Sequence, residues 1–271
     1  MSFFSTVGSL FGWFHDQAPQ SVFTPSYEDV CDARAILQTL KLPTELVLTI
    51  LDFAQYQLRH EFSSAPERPK IATVHHGPRA GHAALCLDID LFNNATANPA
   101  CRAGEVPKIK LLEFSIVSRD QGWTSEDTQG TFHTSSWIEA SILRKVDPRH
   151  TQSPAPRFAN ASMGDPSDFQ NGVASQGWTL VKRPESAKQG PQDGEGDWAW
   201  YVQGNRVAAG RAEYHVVWAD DGSEGNEGAG KGEGFLGELR EGDRILVWAR
   251  AKWPGWQCVV ESVKVMVEYG L

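Results

Sequence analysis

Two carboxylates and a run of tryptophans carry most of the chemistry open to this sequence. Asp120 and Glu139 fall near the ends of expected strands. A pair of carboxylates can divide acid and base duties, as in glycoside hydrolysis. Sequence sets no distance between the two, and carboxylates at strand ends also cap turns or pair with arginine. The tryptophans are the larger signal. Ten are present, and nine lie from Trp123 onward. An indole either fills a core, burying roughly 150–250 Å², or stands exposed beside polar groups, where it stacks on a sugar face or anchors a peptide. Trp218 and Trp178 suit the core. The turn Arg119-Asp120-Gln121-Gly122-Trp123, the pair Trp137 and Glu139, and the tip Trp253-Pro254-Gly255-Trp256 suit the second role. Trp198 and Trp200, two apart, are expected on one strand face.

Other chemistry is thinner. His75, His76, His82 and Cys86 are neighbours in sequence, but metal ligands recur at tighter spacings on a rigid element, and no second ligand pair follows. No metal and no cofactor is expected. Gly225-Asn226-Glu227-Gly228-Ala229-Gly230-Lys231-Gly232 nearly spells a phosphate-binding loop. Gly232 stands where a Ser or Thr should hold magnesium, and no helix follows. No Gly-x-Ser-x-Gly elbow and no His-Glu-x-x-His helix occurs.

The elements that position these residues are mostly strands. In the last thirty residues, Val259, Glu261, Val263, Val265, Val267 and Tyr269 alternate with polar positions, the period of a half-buried strand. Upstream, Ile245, Val247, Ala249 and Ala251 alternate with Leu246, Trp248 and Arg250. Pro254-Gly255 supplies the fixed φ and then the positive φ of a turn, so the two strands are expected to form a hairpin with an aromatic tip. Further strands are expected over 111–118, 137–144, 178–182, 197–203 and 213–218. Long loops are expected at 145–175, 184–197 and 220–234, the last mobile. Short strands separated by loops from Pro107 to Leu271, with no helical period, indicate a mainly β domain, an antiparallel β-sandwich of jelly-roll type. Residues 63–106 read as a poorly patterned connector.

A short helical N-terminal arm precedes it. Phe3, Phe4, Val7, Leu10, Phe11 and Phe14 repeat at three and four, giving an amphipathic helix over 1–16 without Lys or Arg on its polar face. It is too short to span a bilayer. Residues 26–62 look helical, broken at Leu42-Pro43. There Leu46, Val47, Ile50, Leu51, Ala54 and Leu58 form one apolar stripe.

The segment Leu42-Pro43-Thr44-Glu45-Leu46-Val47-Leu48-Thr49-Ile50-Leu51 resembles the opening helix of an F-box, the module that docks on a Skp1-type adaptor of a ubiquitin ligase. The second half of an F-box has no counterpart in Glu61 to Pro78. Three further segments, Ser118–Trp123, Ser136–Ala140 and Leu239–Trp256, resemble an uncharacterised fungal domain. It occurs behind a short Leu-Pro-x-Glu-Leu helix or after ankyrin repeats. Its architecture is similar to the lectin-like β-sandwiches attached to F-boxes, which bind glycans or glycoproteins. The resemblance implies a fungal, lectin-like module with partner docking through Leu42, Pro43, Leu46 and Ile50. It supplies no catalytic residues.

Bulk properties set the remaining bounds. A chain of 271 residues with 41 % hydrophobic content can bury a real core. A net charge of −9 weighs against nucleic acid or an anionic membrane as partner. Cys31, Cys86, Cys101 and Cys258 show no paired spacing and read as reduced thiols of an intracellular protein, cytoplasmic or nuclear. The sequons at Asn94 and Asn160 then carry no glycan. The expected function is a non-enzymatic binding module that takes a protein or glycan ligand through Arg119, Asp120, Gln121, Trp123, Trp137, Glu139, Trp253 and Trp256. The alternatives are an F-box-like adaptor and an enzyme with a carboxylate site.

Overall fold

The computed structural model describes residues 24–64, 66–74, 81–91, 108–125, 127–146, 156, 162–163, 166–192 and 196–270. The amphipathic stretch 1–16, His75, His76, Cys101, Asn94 and Asn160 lie outside them. Among the described residues twelve strands form two six-stranded sheets, and every pairing between them is antiparallel. The first sheet runs β1 (Leu58–Ser64), β12 (Gln257–Gly270), β4 (Lys108–Arg119), β9 (Ala212–Ala219), β10 (Gly222–Gly225), with β2 (Lys70–Thr73) beside β12. The second runs β6 (Ser162–Met163), β3 (Gly81–Asp90), β11 (Arg244–Lys252), β5 (Ser136–Lys145), β7 (Trp178–Leu180), with β8 (Trp200–Gly204) beside β5. Consecutive strands β4 and β5, β8 and β9, and β11 and β12 change sheet. The fold is an antiparallel β-sandwich of jelly-roll type, as the two-residue alternation predicts.

The core lies between the sheets. Leu112, Phe114 and Ile116 of β4 meet Ile138, Ala140 and Ile142 of β5 and Ile245, Val247 and Ala249 of β11. The first sheet keeps a wet outer face, where Glu113 pairs with His215 and Lys264 with Glu61 across strands. The second is buried on both faces, since eight successive residues of β5 are inaccessible. Part of its cover is α3 (Pro166–Ala174), whose Phe169 packs edge-on to Trp248 at 4.9 Å. Gln170 fastens that helix by accepting from Leu180 N at 2.5 Å and donating to Thr179 Oγ1 at 3.0 Å.

Several expectations are corrected here. Residues 26–62 are not wholly helical: α1 (Tyr27–Thr39) and α2 (Thr44–Phe53) are followed by strand β1, which contains Leu58. Val47 and Leu51 are buried, whereas Leu46 and Ile50 point outward, so the expected single stripe is two. The span 63–106 contains β2 and β3, and β3 is an interior strand. None of its residues is exposed and its burial does not alternate, which hides the period that marks a half-exposed strand. Helix α3 falls within 145–175. The expected mobile loop 220–234 holds β10 and then packs tightly, as described below.

The hairpin is also corrected. β11 pairs with β3 and β5, and β12 pairs with β1, β2 and β4, so residues 253–256 form an arch from one sheet to the other. Trp256 N donates to Trp253 O at 3.2 Å, with Gly255 at φ +90° in the third position of the turn. That is the type II pattern that Pro-Gly favours, and type II splays flanking strands where a two-residue hairpin needs the mirror-image turn. A bulge between Val260 and Ser262 then inverts the phase of β12. Val263, Val265, Val267 and Tyr269 face the core as expected, but before the bulge it is Cys258 and Val260 that do so.

Candidate functional site

The arch meets the turn after β4 at one end of the sandwich. Asp120 builds that turn: its carboxylate is buried and accepts from Gly122 N at 2.7 Å and from Ala208 N at 2.6 Å. Burial pushes its pKa above the ordinary value, while the two backbone donors pull the other way. Gly122, at φ +83°, lets the chain reverse after it. Gln121 then ties the turn to the arch, donating to Trp123 O at 2.7 Å and accepting from Gln257 N at 3.3 Å. Arg119 Nη1 donates to Asp120 O at 3.3 Å.

These bonds deliver Trp123 to the arch. The Cβ that an alanine at Gly255 would carry stands 3.6 Å from the outer ring atoms of Trp123, so the indole lies over that glycine. Trp123 remains 58 % exposed and Trp253 46 %. Trp253 takes a left-handed φ of +72°. Its Nε1 donates to Gln192 Oε1 at 3.4 Å, and Lys252 Nζ sits 5.1 Å from its ring centroid while donating to Gln192 O at 2.5 Å. Trp256 instead turns inward and packs against the core. The arch is pinned to the strand end beneath it by Val74, which exchanges 3.2 Å backbone bonds with Trp256 and Gly255. Two open indoles, a cation and amide groups from Gln121 and Gln192 thus share a braced platform. Gln192 and Lys252 were not singled out from sequence. Gln192 lies in a polar loop with no periodicity, and only the fold brings it to the arch.

Trp137 and Glu139 do not join this platform. Both are buried on the outer side of β5. Trp137 Nε1 donates to Glu139 Oε2 at 2.9 Å, and Arg250 Nε lies 3.4 Å from Glu139 Oε1. The guanidinium sits 5.9 Å from the Trp137 ring, which stacks on Tyr201 at 6.4 Å and 29°. Burial removes both residues from contact with an outside ligand, correcting the expectation for them. It also corrects the proposed acid/base pair: Asp120 holds a turn at the end of the first sheet, and Glu139 is sealed on a face of the second.

A buried polar chain lies beneath the platform. Ser118 Oγ donates to Asn205 Oδ1 at 2.7 Å, and Asn205 Nδ2 donates to Ser136 Oγ at 2.7 Å and Cys258 Sγ at 3.3 Å. Burial pushes the Cys258 thiol up to about 11, so it stays protonated and donates to Trp137 O at 3.4 Å. Cys86 is likewise enclosed between the sheets, and His82 Nδ1 accepts from Thr73 N at 3.2 Å.

The glycine run is a seal. Trp218 Nε1 donates to Gly230 O and Trp200 Nε1 to Glu233 O, both at 2.9 Å. A Cβ at Gly230 would stand 1.9 Å from Tyr201 O, and one at Gly232 2.2 Å from the Trp218 ring. The glycines therefore let backbone lie flat against aromatic side chains and a carbonyl. Trp198 and Trp200 do not share a face: Trp200 enters the inter-sheet core, and Trp198 packs on the outer cluster near Phe169.

At the opposite end, the segment Leu42–Leu51 forms most of α2. Leu46, Ile50 and Phe53 repeat at four and three and are 51 %, 41 % and 88 % exposed. Ile36 and Leu40 are exposed on and just after α1. Leu42 is half-buried and Pro43 caps α2. No helix among the described residues is long and apolar enough to cross a membrane.

No protein-family model and no curated protein matches the sequence. Among solved structures, the chain is similar to a peanut lectin determined with the nine-residue peptide PVIWSSATG, at 9 % identity and a TM-score of 0.30. The alignment covers 78 % of this chain and 98 % of the lectin. The architecture rests on the strand pairing above rather than on that likeness.

Proposed function

We propose that this protein is a binding module that takes a protein or glycan ligand on the platform formed by Trp123, Trp253, Lys252, Gln121 and Gln192. The observation that carries the reading is the exposure of two indoles at one arch, Trp123 over Gly255 and Trp253 beside Gln192, held by the hydrogen bonds of Asp120, Gln121 and Gln192. A large aromatic surface left in water is maintained against the hydrophobic effect, and rigid indoles flanked by amides suit stacking on a sugar ring or anchoring a peptide. Bracing from Asp120 and Gln121 lowers the entropy lost on binding. The test is a glycan array together with affinity selection of proteins, followed by titration of the selected ligand against Trp123→Ala and Trp253→Ala. Each substitution is expected to weaken binding by about tenfold or more while leaving the unfolding temperature unchanged. A blank array leaves protein ligands alone, and wild-type affinity in both variants would sink the platform.

A second reading is favoured by the outward stripe of Leu46, Ile50 and Phe53. It makes the chain an F-box-like adaptor, with α2 docked on a Skp1-type protein and the sandwich selecting the substrate. Co-purification with a Skp1-type protein, lost in Leu46→Asp, is the expected result. Absence of wild-type co-purification removes this reading and leaves the first intact.

A further inference from the structure

A cavity of about 130 Å³ lies between the helices α1 and α2 and the first sheet. Its wall is apolar: Val30, Leu51 and Tyr269 are buried there, with Tyr56 half-buried beside them. Its rim is polar. Lys110 and Asp52, with side chains 38 % and 52 % exposed, form an ion pair of 2.7 Å. Gly270 fixes the approach of the lysine, because a Cβ there would stand 2.5 Å from Lys110 Cε. The stem therefore lies across bare backbone, and the ammonium reaches α2. Apolar voids of about this size admit a single aromatic ring, and unfilled ones cost stability in proportion to their volume.

We propose that this cavity binds a phenol group, its ring enclosed by Val30, Leu51, Tyr56 and Tyr269 and its hydroxyl set between Lys110 and Asp52. The rim selects the hydroxyl. An ammonium only donates and a carboxylate only accepts, whereas a hydroxyl does both. Lys110 Nζ and Gln57 Nε2 both donate to Oδ1 of Asp52, which leaves Oδ2 and the rest of the ammonium open to a ligand. A charged head group instead would meet one like charge of the pair. Size selects the single ring, since a fused ring system exceeds the cavity. Occupancy completes the seat of the arm. Helices of 13 and 10 residues are marginal alone and draw stability from packing of an apolar face, so a ligand that binds their docked form slows their opening by mass action. The inference does not depend on the indole platform or on any partner at the outward face of α2.

Phenol itself is the probe, titrated into the full chain and followed by amide chemical shifts and hydrogen exchange. Saturable shifts in α1, α2 and the end of β12 are expected, with a Kd of about 1 mM or tighter. At about ten times that concentration, amides of α1 and α2 are expected to exchange about tenfold more slowly. Lys110→Met keeps a stem over Gly270 and removes the ammonium. It is expected to weaken phenol about tenfold and to leave benzene, which has no hydroxyl, unchanged. N-acetyl-tyrosinamide binding as tightly as phenol assigns the group to a tyrosine side chain of a partner, and its exclusion assigns it to a free phenol. Absence of saturable phenol shifts at these elements overturns the proposal. So does equal phenol affinity in wild type and Lys110→Met, or an equal loss of phenol and benzene, because the ion pair then selects nothing.

Discussion

At Gly232 the backbone takes φ +62° and the Trp218 ring lies where a side chain would begin. Both facts exclude an L side chain. Gly237 makes a useful contrast, because a Cβ there would meet nothing within 4 Å and its φ is ordinary. Gly232→Ala is expected to lower unfolding free energy by about 2 kcal/mol or more. Gly237→Ala is expected to change it by less than about 0.5 kcal/mol. Denaturant titration of both proteins checks this, and equal midpoints would refute the sealing role of residues 225–234. At this scale the sequence was only half legible. Gly-rich composition signals conformational freedom, yet the same composition serves close approach to aromatic rings, and only the neighbours distinguish the two. Trp137 and Glu139 mislead for a related reason. Their strand position is evident, but burial of the outer face depends on chain far away in sequence.

At the scale of elements, α2 is held to the first sheet by Asp52, which accepts from Lys110 Nζ at 2.7 Å and Gln57 Nε2 at 2.8 Å. The hydrogen bond from Lys110, then that from Gln57, holds the Asp52 pKa below its ordinary value. A carboxylate depressed in the folded state contributes stability that is fully present above the unfolded pKa and is lost as pH falls through the lower folded one. The pair is half-exposed, so the contribution stays below about 1 kcal/mol. Acidification below about pH 4 is therefore expected to loosen α1 and α2 before the sandwich. Exchange rates of the helix amides over an acid series check it. Asp52→Asn should flatten the part of that profile owed to the ion pair, and an unaltered profile would assign the acid response elsewhere. Asp29, held low chiefly by the Ser26 hydroxyl, adds to the same trend from the start of α1. The break at Leu42-Pro43 was readable locally, but the end of α2 at Phe53 was not, because apolar residues run on to Leu58 in β1. The face of α2 that meets the sheet was not, because Leu46 and Val47 are equally apolar and only docking separates them.

Across the whole molecule, the second sheet is doubly covered and the first is wet on one side. Amides of β5 and β11, interior and buried on both faces, are expected to exchange slowest of all, with β10 and α1 faster by about a hundredfold or more. Native-state exchange measures this ordering directly, and comparable rates in β5 and β10 would contradict the layered core. By itself the sequence determined that the back of the chain is strands, which residues of β4, β5 and β11 alternate inward, and that aromatic side chains gather at turns. These are local properties: a period of two follows from backbone geometry, and Pro-Gly chooses its own turn. Tertiary structure alone decided which sheet each strand joins, that residues 253–256 arch between sheets, and that Trp123 and Trp253 stay open while Trp137 closes. Those outcomes depend on the splay of one turn, a bulge at Glu261 and surfaces contributed by distant segments, none of which alternation along a single strand encodes.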